Sequence, residues 1–173
     1  MTSASEPPRA ETDTGTDTGH ETFVVVPIGW VRGGRADVED DAWGAVAARI
    51  ELDADELDAS ATRGLEGFSH VDVVYVFDRV HEDAVCRGAR HPRGRADWPE
   101  VGILAQRAKD RPNRIGVTTC ELVALDGLVL GVRGLDAVDG TPVLDVKPHM
   151  AGFSPRGPVR EPTWAEELMR GYW

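Results

Sequence analysis

Two β-type runs that meet at Asp126-Gly127 constrain this chain more than any other feature. Residues 115–125 (IGVTTCELVAL) and 128–133 (LVLGVR) are rich in strand-favouring side chains. An Asp-Gly pair between such runs predicts a tight β-hairpin, because glycine supplies the positive φ that a two-residue turn demands.

The rest of the chain offers further strands. Residues 64–78 (GLEGFSHVDVVYVFD) read as the clearest core strand. Residues 23–30, 45–52, 101–107 and 142–146 read as others, with Pro27 marking an edge or a bulge in the first. Residues 31–42 read as a polar loop, 53–60 as an acidic helical turn, and 79–100 as a long polar loop of the kind that is functional or disordered. Residues 163–173 (TWAEELMRGYW) predict an amphipathic helix, with Thr163 as N-cap and Glu166 completing a capping box. Many strands and one helix predict a mainly-β fold: a single compact β-barrel domain over 23–173 with a short C-terminal helix. Residues 1–22, which hold almost nothing apolar, read as a disordered acidic tail.

Several classes are excluded by missing patterns. There is no GxGxxG after an early strand, no P-loop, no HExxH and no GxSxG. No apolar run approaches the roughly 20 residues that span a bilayer, and the N-terminus lacks the basic and apolar regions of a secretory signal. Cys86 and Cys120 lack a CxxC partner, which argues against a disulfide framework and a zinc site and for reduced thiols in a cytoplasmic protein. No metal is expected.

Charge is uneven. The chain has 19 basic and 30 acidic residues, a formal net charge of −11, which excludes nucleic-acid binding across the whole surface. Residues 87–114 nevertheless form a basic island: Arg87, Arg90, Arg93, Arg95, Arg107, Lys109, Arg111 and Arg114 stand against Asp97, Glu100 and Asp110. Local binding of an anionic partner and a solvated loop both account for such an island.

Three clusters carry candidate chemistry. In DRPNRIGVT (110–118), Pro112 stiffens a turn, Asn113 tolerates unusual backbone geometry and Gly116 permits close approach. Such a turn can present Arg111 and Asn113 to a ligand, or simply precede a strand. In GLDAVDGTPVLDVKP (134–148), Asp136, Asp139, Asp145 and Lys147 crowd two turn signals. These carboxylates can take ribose hydroxyls, an ammonium group or a metal, although Asp-Gly at 139–140 also serves plain turn chemistry. In FSH (68–70), His70 heads the core strand, where a structural hydrogen bond is the commoner role. Asp72 in the same strand faces outward or pairs with an arginine, since burying it alone is costly.

Taken in order, GLEGFSH (64–70), VGILAQR (101–107), RPNRIG (111–116) and LDAVDGTPVLDVKP (135–148) resemble the motifs of the TrmO-like (TsaA-like) methyltransferase family. The resemblance covers roughly residues 23–150. It implies a one-domain β-barrel unlike the Rossmann methyltransferases, a homodimer, and S-adenosyl-L-methionine bound near the subunit interface. It implies N6-methylation of N6-threonylcarbamoyladenosine beside the tRNA anticodon.

The resemblance also implies cofactor contacts: Asp78 and Arg79 after the FSH strand, Arg107, Val117, then Arg133, Gly134, Leu135 and Asp136, with Trp43, Gly44 and Ala45 in an early turn. Arg111, Asn113, Arg114, Asp139 and Lys147 are the substrate-binding candidates. No catalytic base is assigned. Arg114 stands where the family has a second proline, Asp78 where many members have His, and the extra C-terminal domain of longer members is not expected. Two other functions fit the same barrel: a methyltransferase acting on a small-molecule acceptor, and a cofactor-binding module without turnover.

Overall fold

The structure is a computed structural model and describes residues 21–173. The expected acidic tail lies outside the described residues except for its last two positions. The strands are β1 (Gly29–Arg32), β2 (Ala47–Leu52), β3 (His70–Val76), β4 (Ala89–Arg90), β5 (Val101–Gly102), β6 (Ile115–Asp126), β7 (Val129–Arg133) and β8 (Pro142–Pro148). An antiparallel barrel closes in the order β1-β2-β7-β6-β3-β8, while β4 and β5 form a separate ribbon. One short helix follows, α1 (Thr163–Leu168). The expected mainly-β barrel with a C-terminal helix is therefore what the chain forms.

Strand period drives the closure. Along β3, Val71, Val73 and Tyr75 are buried while His70 is exposed, the alternation of a sheet with one dry face. Val31, Ile50, Leu130, Val132, Leu135 and Val143 are fully buried and fill the barrel with those residues. Each such aliphatic side chain stabilises the fold by roughly 1.5–3 kcal/mol.

The hairpin forms, displaced by one residue. Asp126 pairs with Val129, so the loop is Gly127-Leu128 rather than Asp126-Gly127. Gly127 has φ 55° and Leu128 is not left-handed. A positive φ at the first central position alone is the type II′ pattern, which places glycine there.

Four expected elements differ. The first strand starts at Gly29, not at residue 23, and Phe23 and Val24 stay exposed. The neighbouring β2 ends at Leu52, opposite Gly29, so beyond Ile28, which donates to the Val143 carbonyl and accepts from the Asp53 N–H at 2.8 Å, the ladder stops, and Pro27 has no N–H to donate. The stretch before His70 is a 3-10 turn, Leu65–Gly67, entered through Gly64 at φ 91°. Of residues 101–107, only Val101–Gly102 is strand, and Ile103–Ala105 turns as a 3-10 segment that buries Ile103. The helix ends at Leu168, and its N-cap is Pro162, so Thr163 is already helical and the capping box does not form.

Asp72 faces outward as expected, on the side of β3 opposite the core, and its partner is a histidine rather than an arginine. It accepts from Thr119 Oγ1 at 2.5 Å and lies 3.1 Å from His149 Nδ1. His70 is exposed and bonded to Ser69 Oγ, the structural role. The long 79–100 loop is tied to the body: Arg93 forks onto the Asp41 carboxylate at 2.7 and 3.1 Å, and Trp98 is buried.

Candidate functional site

The barrel places a cleft of about 1170 Å³ where β3 ends and β6 begins. Antiparallel pairing sets Tyr75 of β3 opposite Gly116 of β6. A Cβ at residue 116 would lie 2.4 Å from Tyr75 Cε2, so only glycine lets the ring lie across β6. The ring thereby carries its hydroxyl to the cleft floor.

That floor is Asp136. Oδ1 accepts from the Tyr75 hydroxyl at 2.8 Å and from Thr118 Oγ1. Oδ2 accepts from the Tyr172 hydroxyl at 2.5 Å. Burial, with the Asp136 charge beside it, pushes the Tyr75 hydroxyl far above its usual range, and the same causes in the same order raise Tyr172. Both phenols therefore stay protonated and donate to the carboxylate at any physiological pH. Cys120, behind the floor, is pushed up to about 12 by burial and the nearby carboxylates, and it stays a neutral thiol.

The walls come from other elements. Trp43 is buried at one side, with the Arg35 guanidinium stacked 4.5 Å from its ring centroid. The C-terminal segment supplies Trp164, Tyr172 and Trp173 on another side. Arg107, Lys109 and Arg111 make a basic rim. Arg107 donates to the Val117 carbonyl and Arg111 to that of Gln106 at 3.2 Å, and among the described residues neither guanidinium has a carboxylate partner. Four other cations of the basic island are different. Arg87 pairs with Glu82, Arg90 with Asp110, Arg93 with Asp41 and Arg95 with Asp97.

The fold brings together many of the residues singled out in the sequence. Trp43, Asp78, Arg79, Arg107, Val117, Asp136, Arg111 and Asn113 all line the cleft. Asn113 and Arg114 hold φ 63° and 54°, the unusual turn geometry expected of RPNR. Arg114 donates to the Val80 carbonyl at 2.7 Å and braces the loop behind the cleft. Arg79 clamps two loops, donating to the carbonyls of Ala36 and Asp139 at 2.7 and 2.8 Å. The Asp139 carboxylate accepts from the Gly33 N–H at 2.8 Å.

Others lie away from the cleft or behind it. Arg133 pairs with Glu121 across the outer face, and Lys147 pairs with Asp145. Leu135 is in the core, Gly134 turns the chain at φ 80°, Gly44 backs onto Trp173, and Ala45 is exposed.

Sequence reasoning missed Tyr75, Thr118 and Tyr172. Tyr75 had a usable signal, since a tyrosine at an inward strand position must find a partner for its hydroxyl. Tyr172 had none, because nothing local ties a terminal helix to a turn between β7 and β8.

A closed mainly-β barrel whose cleft has a carboxylate floor, aromatic walls and a cationic rim is an architecture other than the Rossmann domain. Residues 39–154 match the family described as the tRNA-methyltransferase O N-terminal domain, and the chain belongs to that family. The tRNA (adenine(37)-N6)-methyltransferase of Escherichia coli K12 is 41% identical over 98 residues, covering 53% of this chain and 40% of that protein. A probable S-adenosyl-L-methionine-binding protein of Archaeoglobus fulgidus is 40% identical over 105 residues, 61% of this chain and 27% of that protein. A crystal structure of TrmO superposes with a TM-score of 0.66 at 29% identity, over 82% of this chain and 64% of that one. The chain thus spans well under half the length of both curated relatives.

Proposed function

We propose that the cleft binds S-adenosyl-L-methionine and that the protein methylates N6 of an adenine beside the tRNA anticodon, N6-threonylcarbamoyladenosine being the acceptor. The observation that carries this reading is the Asp136 floor inside the cleft of a chain in this family. The residues fit the cofactor. An ionised carboxylate offers about four acceptor positions, and three are filled by Tyr75, Thr118 and Tyr172, which leaves one on Oδ2 for an ammonium or ribose hydroxyl. Arg107 and Arg111 are full cations that can hold a carboxylate. The cleft volume of about 1170 Å³ exceeds the roughly 300–1,000 Å³ of single-ligand sites, leaving room for a base beside the cofactor.

The bound cofactor supplies an electrophilic methyl group on sulfonium. The chain's part is orientation, which contributes several kcal/mol when the reacting atoms are held in line. Trp43 and the C-terminal aromatics exclude water from the floor, and the cations of the rim face the phosphates of an RNA acceptor. Ile115 and Val117 expose apolar surface at the cleft, which supports a homodimer joined there. Among the described residues no helix is long and apolar enough to cross a membrane, and a tRNA acceptor supports the reading of a cytoplasmic protein.

Methyl transfer from labelled cofactor to threonylcarbamoylated tRNA tests the reading. Incorporation into that tRNA is expected, and no incorporation at saturating cofactor overturns it. A second reading, a small-molecule acceptor, is favoured by the carboxylate pairing of Arg87, Arg90, Arg93 and Arg95, which leaves few free cations for RNA. Absence of tRNA binding at low salt together with intact cofactor binding selects it.

A further inference from the structure

The C-terminal strap, residues 163–173, lies beyond the residues that the family model matches, yet it completes the cleft. Three sets of contacts fix it. The N–H groups of Ala42 and Trp43 donate to the carbonyls of Gly171 and Tyr172 at 2.8 and 2.7 Å. Trp98 Nε1 donates to Glu167 at 2.8 Å, with the Trp98 and Trp164 rings 6.4 Å apart. Trp173 packs so tightly on Gly44 that a Cβ there would meet its backbone at 2.7 Å. Gly171, at φ 81°, makes the bend that turns Tyr172 inward.

The bend delivers one hydroxyl to one oxygen. Tyr75 and Thr118 occupy Oδ1 of Asp136, whereas among the described residues Tyr172 alone occupies Oδ2. With Tyr172 in place, Oδ2 has a single acceptor direction left, and the strap decides which way it points. Without that hydroxyl the carboxylate keeps two open directions on Oδ2 and is held at Oδ1 alone, so its χ2 torsion, soft for aspartate, is less tightly fixed.

We propose that Tyr172 is a positioning residue: from a strap outside the family core it fixes Asp136 Oδ2 so that the cleft accepts one donor group of the bound cofactor in one orientation. This rests on the cofactor reading above, and it adds that ligand recognition by this chain depends on residues 163–173.

Calorimetric titration of S-adenosylhomocysteine into the full chain tests it, using the wild type, Tyr172→Phe, Thr118→Val and the double variant, with melting temperatures recorded for each. Tyr172→Phe keeps the ring and its packing, so binding is expected to weaken about 10- to 150-fold, the range for one lost hydrogen bond to a charged group. The same lost bond should lower its melting temperature by several degrees, so every titration is run well below the transition of each variant. Both substitutions strip donors from one carboxylate, so the double variant should depart from the product of the single effects by about threefold or more. Unchanged affinity in Tyr172→Phe overturns the assignment. So does strict additivity, which makes Tyr172 a mere wall. A wild type that binds no S-adenosylhomocysteine overturns the cofactor reading itself, and the assignment falls with it.

Discussion

Gly116→Ala isolates the contact on which the site is built. The new methyl carbon would lie 2.4 and 2.5 Å from Cε2 and Cζ of Tyr75, where ordinary contact begins at 3.4 Å. The backbone at 116 is not left-handed, so the cost is steric and the ring must retreat by about 1 Å. Overpacking of this kind costs roughly 1–3 kcal/mol. The retreat also breaks the hydrogen bond from the Tyr75 hydroxyl to Asp136, worth roughly 1.5–3 kcal/mol with a charged acceptor. Against these, alanine in a strand is favoured over glycine by roughly 0.5–1 kcal/mol. The net loss is about 2–5 kcal/mol, or roughly 5–15 °C in melting temperature for a chain of this size. Urea and thermal unfolding of the wild type, Gly116→Ala, Tyr75→Leu and the double variant measure it. Leucine lacks the clashing atoms, so in the Tyr75→Leu background Gly116→Ala should be neutral or slightly stabilising. A cost that stays at 2–5 kcal/mol in that background, or no cost in the wild type, refutes the reasoning.

Three further outcomes follow from the same geometry. Cys120 has a pKa raised from 9.0 to about 12, so the folded state holds its proton where the unfolded state has lost it. Its contribution is complete below pH 9 and disappears as pH rises toward 12, with Tyr75 and Tyr172 acting in the same direction; urea midpoints should fall over that window and fall less in Cys120→Ala. A maleimide at pH 7.5 should label half-buried Cys86 within minutes and buried Cys120 only on unfolding, which mass spectrometry of the labelled protein resolves. Lys109→Ala should lower the slope of log affinity for tRNA against log salt by about one, while Arg87→Ala, already paired with Glu82, should leave it unchanged. Equal slopes for both variants would remove the rim from the RNA contact.

The legible part of this protein was local. The Gly127 hairpin, the alternating burial of β3 and the bent RPNR turn each follow from chemistry within a few residues. Asp136 was singled out because carboxylates crowd that turn and because the motif resembles a known family. What stayed hidden was long-range. Residues 23–27 carry strand-forming side chains, but the partner strand β2 ends at Leu52 opposite Gly29, and no local pattern encodes where a partner stops. Thr163 has the residue types of a capping box, but Pro162 begins the helix one position earlier. Arg79 reads as a ligand-binding cation, yet its geometry is that of a clamp between the carbonyls of Ala36 and Asp139. Tyr172 reaches Asp136 across 36 positions of sequence, through a bend whose role appears only in three dimensions.

Asp136 is the hinge of the account, and titration of S-adenosylmethionine into the wild type and Asp136→Asn tests it most directly. The asparagine keeps the size of the side chain while removing its charge and one acceptor. Binding at one site per chain is expected for the wild type, with at least a tenfold loss in Asp136→Asn, the equivalent of about 1.4 kcal/mol, and no loss of the folded barrel by circular dichroism. Equal affinity in the two proteins would contradict the account, because the cofactor would then be held somewhere other than the floor that Tyr75, Thr118 and Tyr172 build.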